Sequence, residues 1–208
     1  GSMLIINEKQ TMLHIYINAI YTRVCFIIIP DYRHLRQLLC LNDRNSDRSG
    51  RCCRQEYQRL LDTAHRLGQE RLGLLVEAMG ATGIRVSEVR YITAEAAIDG
   101  RTEISMKGKV RTILIPQKLC RKLLHYARTQ GVTSGALFLT RTNRSLSRTQ
   151  IWAEMKKLCS AANVRKSKVF PHNLRHLFAK TYYRLYRDVV KLADILGHSS
   201  INTTRIYL

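Results

Sequence analysis

The apolar residues of this chain depart from helical spacing in one stretch, and that departure limits the possible folds more than any other feature. Apolar and polar residues alternate on both sides of Lys107-Gly108-Lys109, and Pro116 ends the pattern. Alternation with a period of two around a glycine turn predicts a β-hairpin over 102–115. Apolar residues elsewhere recur every three or four positions, which predicts helices. We therefore expect a mainly helical α+β domain with a small antiparallel β-sheet at one edge.

The predicted helices follow from this spacing and from residues typical of helix ends. A helical pattern over 55–81 is interrupted at Gly68, and Ser147 is a candidate N-cap for a helix that starts at Arg148. Gly197 should end a helix, and Asn202 or Thr203 should open the last one. The other predicted helices cover 86–91, 117–128, 173–186, 189–196 and 201–208, and residues 135–140 are a candidate short buried strand.

Residues 1–50 differ in character from the rest of the chain. Gly1-Ser2-Met3 has the form of an expression scar, and the polar stretch 43–50 ends in glycine like a linker. The apolar stretch 12–29 carries His14, Asn18 and Arg23, so we expect a packed element there and no membrane span. We predict an N-terminal appendage with its linker over 1–50 and a catalytic domain over 51–208.

The excess of positive charge indicates a polyanionic partner. The chain has 35 Lys and Arg against 15 Asp and Glu, a formal net charge of +20. Residues 1–50 hold 6 basic and 4 acidic residues, whereas 51–208 hold 29 and 11, so the excess belongs to the second segment. Nucleic acid is the first candidate. A basic surface that serves only solubility is the alternative.

The cysteines do not indicate a disulfide framework or a zinc finger. Six are present without a paired CxxC spacing, and no secretory signal precedes them. We predict reduced thiols in a cytoplasmic protein, encoded by a bacterium, a phage or another mobile element.

Several polar residues with chemical potential lie at the ends of the predicted elements. Arg85 lies at a turn into a helix and Lys107 at the hairpin tip. Residues His172, Arg175 and His176 share one helical face. Beyond them, His198 directly follows Gly197, and Tyr207 lies nine residues further on. Each has an ordinary explanation alone, so the set and its order carry the argument.

Taken in order, these motifs resemble the tyrosine recombinases of the phage integrase type. The matching stretches, within 51–208, are Ala81-Thr82-Gly83-Ile84-Arg85-Val86-Ser87-Glu88, Lys107-Gly108-Lys109-Val110-Arg111, His172-Asn173-Leu174-Arg175-His176, Leu196-Gly197-His198-Ser199-Ser200 and Ile201-Asn202-Thr203-Thr204-Arg205-Ile206-Tyr207. The resemblance implies a site-specific DNA recombinase or integrase that forms a 3′-phosphotyrosyl intermediate.

The chemistry explains why these residue types are needed. Charge that builds on the non-bridging phosphate oxygens suits clamping by two guanidiniums, Arg85 and Arg175. A phenol with a pKa near ~10 needs cationic neighbours to act as a nucleophile, as Tyr207 would. We expect Lys107 to protonate the leaving 5′ oxygen, with Lys109 as the alternative acid. The resemblance further implies that His172 assists proton movement at the nucleophile and that His198 hydrogen-bonds the phosphate.

The expected partner is double-stranded DNA, without a metal or another cofactor. No carboxylate cluster suits a two-metal site, and the pair His172 and His176 lacks the glutamate of an HExxH zinc motif. The resemblance also implies a homotetrameric synapse on DNA. Candidate DNA-binding residues are Lys109, Arg111, Arg148, Lys166, Lys168 and His176.

Two departures from the family pattern leave other functions open. Residues 3–50 are too short for the helical core-binding domain that usually precedes the catalytic domain, and Leu208 follows Tyr207 directly, as in a truncated chain. A type IB topoisomerase uses similar chemistry and is a close variant. A non-catalytic, basic DNA-binding remnant of an integrase is the alternative from another class.

Overall fold

A computed structural model describes residues 52–106, 109–169 and 171–206. The predicted appendage and linker over 1–50 lie outside these residues, as do Lys107 and Tyr207. Among the described helices, none combines the length and the apolar character needed to cross a bilayer.

The described chain is mostly helical and contains one hairpin. The α-helices are α1 (Arg54–Arg66), α2 (Glu70–Thr82), α3 (Ala94–Asp99), α4 (Gln117–Thr129), α5 (Arg148–Ala161), α6 (Pro171–Tyr186), α7 (Val189–Leu196) and α8 (Ile201–Arg205). A 3-10 helix spans Val86–Tyr91, and strands β1 (Arg101–Met106) and β2 (Lys109–Leu114) pair antiparallel. The predicted fold class is therefore confirmed.

Helix α2 is the centre of the main core. Its buried residues lie on most sides of the helix, because α1, α4 and α6 all pack against it. The hairpin adds Ile104 and Ile113, which are 1% and 2% exposed. A smaller cluster joins α6 to α7 through Phe178, Leu192 and Leu196. The core thus holds the ends of α2, α6 and α7 in fixed relation.

Several helix ends follow their sequence signals. Ser147 accepts a hydrogen bond from the Gln150 backbone N–H at 3.1 Å, so the predicted N-cap is confirmed. Gly68 interrupts the first helical stretch with a φ of +66°, and Gly197 ends α7 with a φ of +64°. Both angles lie in the left-handed region that glycine adopts without strain.

Three boundary predictions need correction. Residues 135–140 form isolated bridges at Ala136 and Leu139 and no strand, although Leu137 and Phe138 are buried. Helix α6 begins at Pro171, since a proline suits the first helical turn, where the N–H is not needed. Helix α8 is opened by Ser200, whose hydroxyl accepts the Asn202 N–H, and not by Asn202 or Thr203.

Candidate active site

Arg85 lies where the chain passes from α2 into the 3-10 helix. Its extended backbone makes it the N-cap residue, and its N–H donates to Glu88 Oε2 at 2.7 Å. The Arg85 guanidinium donates to the other carboxylate oxygen of Glu88 at 2.9 Å. The Arg85 side chain is 36% exposed and Glu88 only 1%, so a buried carboxylate orients an accessible cation.

Arg175 reaches the same region from α6. It is 4% exposed, and its Nη1 donates to the Gly83 carbonyl at 2.6 Å. This contact requires α6 to approach the end of α2 closely. A Cβ at Gly83 would lie 2.4 Å from Cδ1 of Phe178, and Gly83 has a φ of +65°. A glycine at this position therefore permits the approach.

The two arginines meet at the end of α7. Nη2 of Arg85 donates to the Leu196 and Gly197 carbonyls at 3.2 and 3.0 Å. Nη2 of Arg175 donates to the same Leu196 carbonyl. Carbonyls at a helix C-terminus lack intrahelical donors and carry partial negative charge, so they suit two guanidiniums. Side chains separated by 90 positions in sequence thus share one acceptor, as their expected role requires.

His198 lies beside these two arginines. Its Nε2 lies 3.1 Å from Nη2 of Arg175, and its Nδ1 lies 2.8 Å from Oγ1 of the buried Thr204. Arginine can only donate, so Nε2 is the acceptor and Nδ1 carries the proton. Burial, and then the charges of Arg175, Arg85 and Arg111, lower the pKa of His198 to about 4. The ring is therefore neutral at pH 7.

His172 and His176 pair with each other on α6. Their Nε2 atoms lie 3.0 Å apart and the rings meet edge to face. His172 is exposed, whereas His176 is 7% exposed. Because His176 is buried, it is suited to hold the exposed ring of His172 in place. Its burial differs from the surface position that we expected of a DNA-binding residue.

Glu88 and Arg111 join the cluster through contacts that the sequence analysis did not anticipate. Arg111 donates to Glu88 Oε2 and to the Ile195 carbonyl, the latter at 2.9 Å. Glu88 follows Arg85 by three residues, a spacing that lets the two side chains pair. Arg111 is two residues from the buried Ile113 on β2, a spacing that directs its side chain to the inner face of the sheet. The sequence therefore contained a signal for each contact. With the guanidiniums of Arg85, Arg111 and Arg175 and the single carboxylate of Glu88, the cluster carries surplus positive charge.

The predicted DNA-binding residues Arg148, Lys166 and Lys168 differ in exposure. Arg148 and Lys166 are exposed, as a phosphate contact requires. Lys168 is half-buried and pairs with Glu56 at 3.1 Å, which differs from the free surface cation expected. Lys107, Tyr207 and the side chain of Lys109 are outside what the structure describes, so their roles stay predictions.

Comparisons with known proteins indicate the family and the fold of this chain. Residues 51–208 match the phage integrase family. Tyrosine recombinase XerD of Staphylococcus epidermidis is 34% identical over 142 residues, which cover 64% of this chain and 48% of XerD. The chain spans about half the length of such curated relatives.

Two solved structures share the fold. The crystal structure of XerA recombinase has a TM-score of 0.67 at 24% identity, covering 80% of this chain and 61% of XerA. XerH recombinase bound to its difH substrate in a pre-cleavage complex has a TM-score of 0.64 at 23% identity, covering 80% and 52%. At these identities the likeness concerns the fold alone.

Proposed function

Because this chain belongs to the phage integrase family, we propose that it carries out site-specific DNA recombination by cutting and rejoining strands through Tyr207. The observation that carries the proposal is the convergence of Arg85 and Arg175 on the Leu196 carbonyl, with His198 against Arg175. Three separate elements supply this group, and its one partly exposed guanidinium, that of Arg85, offers a phosphate a point of entry.

In the proposed reaction Tyr207 gives its phenolic proton to His172, its oxygen attacks the scissile phosphorus, and the bond from phosphorus to the 5′ oxygen breaks. The 5′ oxygen takes a proton from Lys107, and the phosphate remains joined to Tyr207 as a 3′-phosphotyrosine. The negative charge that builds on the non-bridging oxygens is stabilised by guanidiniums already held in place. Attack by a 5′ hydroxyl of another strand reverses the step, so the link conserves the bond energy.

The neutral state of His198 sets a condition on this reaction. Its Nε2 accepts from Arg175 and cannot donate to a phosphate at the same time. A bound phosphate would compete for the Arg175 N–H and would raise the pKa of His198 by its negative charge. The ring can then take up a proton and donate to the phosphate. DNA binding is therefore coupled to proton uptake at His198.

Covalent capture tests the proposal. The probe is a pool of nicked duplexes with randomised arms, in which the fragment 3′ of the cut diffuses away and traps the intermediate. We expect a denaturant-stable protein–DNA band with the wild-type chain and none with Tyr207→Phe, which keeps the ring but removes the nucleophile. Sequencing the captured DNA reports the target site.

The other outcomes separate the alternatives. Gel shifts without a covalent band from the wild-type chain would contradict the proposal and leave a non-catalytic DNA-binding protein. Capture with no sequence preference, together with relaxation of supercoils, would instead favour a topoisomerase. Joining between two specific sites by a protein that assembles as a tetramer on DNA would support the full recombinase reaction.

A further inference from the structure

The side chain of Arg111 points into the protein, which is not the position expected of a DNA-binding residue. It pairs with Ile104 across the hairpin and is two residues from Ile113, so it lies on the inner face of the sheet. Its side chain is only 11% exposed, whereas the neighbouring Val110 is 65% exposed on the outer face. The pleat of β2 therefore directs Arg111 towards the protein.

Both terminal nitrogens of Arg111 are used inside the protein. One donates to Glu88 and the other to the Ile195 carbonyl, so the guanidinium joins β2 to the 3-10 helix and to the end of α7. Its Nε is buried and has no hydrogen-bond partner among the described residues. Burial lowers the pKa of Arg111, and the charge of Glu88 opposes this effect. The carboxylate thus compensates a cation that water does not reach.

The stem of Arg111 also packs against the turn that the catalytic arginines use. A Cβ added at Gly197 would lie 2.7 Å from Cδ of Arg111 and 3.1 Å from its Nε. Gly197 supplies one of the two carbonyls that hold Arg85, and His198 follows it directly. The turn after α7 is therefore contacted by Arg111, Arg85 and Arg175 together.

We propose that Arg111 is a positioning residue: it holds Glu88 and the Ile195–His198 turn in register, so that Arg85, Arg175 and His198 face one phosphate, and it does not itself contact DNA. This inference rests on the proposed function and adds a specific task for a residue of the hairpin. Removing Arg111 leaves Glu88 with Arg85 alone and leaves the Ile195 carbonyl without its donor. The turn and Arg85 are then free to shift while the phosphate contacts elsewhere remain.

The test compares Arg111→Met and Arg111→Lys with the control Arg101→Met. Arg101 lies on the same hairpin, is exposed, and pairs with Leu114 at the end away from the tip. The control therefore removes the same charge from the same sheet without touching the cluster. For each variant we would measure thermal unfolding, DNA affinity as a function of salt, and the rate of covalent capture at saturating DNA.

We expect Arg111→Met to lower the capture rate about 100-fold, the cost of a small misplacement of catalytic groups. The slope of log affinity against log salt should stay as in the wild type. Loss of a phosphate contact would instead reduce that slope by about 0.9. Arg111→Lys keeps the charge but reaches fewer acceptors, so we expect only partial recovery. Arg101→Met should capture DNA at the wild-type rate.

The His198 ring gives a readout that does not depend on cleavage. Burial, and then the charges of Arg175, Arg85, Arg111 and His172, lower its pKa. Removing one of them should raise the pKa of His198 above about 4 in an NMR titration of Arg111→Met, while Arg101→Met leaves it unchanged.

The outcomes distinguish this inference from the proposed function. If the wild-type chain captures no DNA, the proposed function fails, while the salt slope and the His198 titration still test Arg111. A slope reduced by about 0.9 in Arg111→Met, with capture at saturating DNA unaffected, would overturn the inference and make Arg111 a phosphate contact. Should Arg111→Met unfold, the same comparison is made with Arg111→Gln, which also removes the charge but keeps a polar group beside Glu88.

Discussion

At the residue scale, the cluster shows how a few buried groups set the state of an accessible one. Glu88 orients Arg85 by accepting from both its backbone and its guanidinium. Thr204 accepts the Nδ1–H of His198 on the far side of the ring, while Arg175 donates to Nε2. Neither residue is suited to touch a substrate, since both are at most 1% exposed. The direction of the accessible groups therefore depends on residues that a substrate does not reach.

The depressed pKa of His198 predicts how stability depends on pH. The pKa of this ring lies at about 4 in the folded chain, against the usual 6.5. Between these values the unfolded chain binds more protons, so the free energy of unfolding falls as the pH falls from about 6.5 to about 4. We expect the shift to contribute on the order of 1 kcal/mol to the free energy of unfolding at neutral pH. The contribution is this small because the ring is partly exposed and water screens its interactions with nearby charges.

Urea unfolding at pH 7.5 and pH 5 would measure this contribution. His198→Gln keeps an acceptor for Arg175 but does not titrate, so its loss of stability between the two pH values should be smaller than that of the wild type. An identical loss in both proteins would contradict the assignment to His198.

At the element scale, the site depends on how closely the ends of α2, α6 and α7 approach one another. Gly83 lets α6 pack against the end of α2, and Gly197 turns the chain so that the carbonyls of Leu196 and Gly197 face the arginines. Both glycines have left-handed φ values, at +65° and +64°. The same two residues therefore end helices and admit a neighbouring side chain.

The role of Gly83 in close packing predicts a large effect of a single methyl group. Gly83→Ala adds a Cβ that would lie 2.4 Å from Phe178, in addition to the backbone strain. Gly131→Ala is the matched control, since Gly131 has a φ of +68° but nothing within 4 Å of an added Cβ. We expect the control to lose about 1 kcal/mol of stability from backbone strain alone. Gly83→Ala should lose a further 1–3 kcal/mol, about the cost of overpacking.

Thermal unfolding of both variants would measure the difference. Covalent capture should also be slower in Gly83→Ala than in Gly131→Ala, because Arg175 donates to the Gly83 carbonyl. Equal stability of the two variants would show that α6 does not need this close contact.

At the scale of the whole molecule, charge is the dominant feature. Residues 51–208 carry 29 basic and 11 acidic residues. Several of the basic residues pair with acidic residues of the protein itself, as Lys168 does with Glu56 and Lys122 with Glu77. Most of the excess remains for the surface, where it favours association with a polyanion.

This excess predicts DNA binding that depends strongly on salt. If about six or more phosphates are contacted, the affinity for duplex DNA should fall about 1,000-fold or more between 50 and 200 mM salt. Fluorescence anisotropy with a labelled duplex at several salt concentrations would measure the slope. An affinity that is nearly independent of salt would contradict a phosphate-based interface.

The sequence by itself determined most elements of this protein and the family to which it belongs. Local spacing sufficed for the hairpin and most helices, because periodicity and end residues act within a few positions. The limits of local reasoning appear at 135–140, where burial was predicted correctly but a strand was not formed, since pairing requires a distant partner. The order of the motifs sufficed to recognise the family, and the match of residues 51–208 confirms it.

Only the tertiary structure decided which of the many cations belong to the site. Arg85, Arg111 and Arg175 meet because helices and a hairpin that are distant in sequence pack around α2 and the end of α7. Packing also placed Lys168 and His176 in internal contacts, although their sequence positions suggested a surface. The physical reason is that the contacts of a side chain depend on all the elements packed around it. The spacing of residues along the sequence describes only the element to which the side chain belongs.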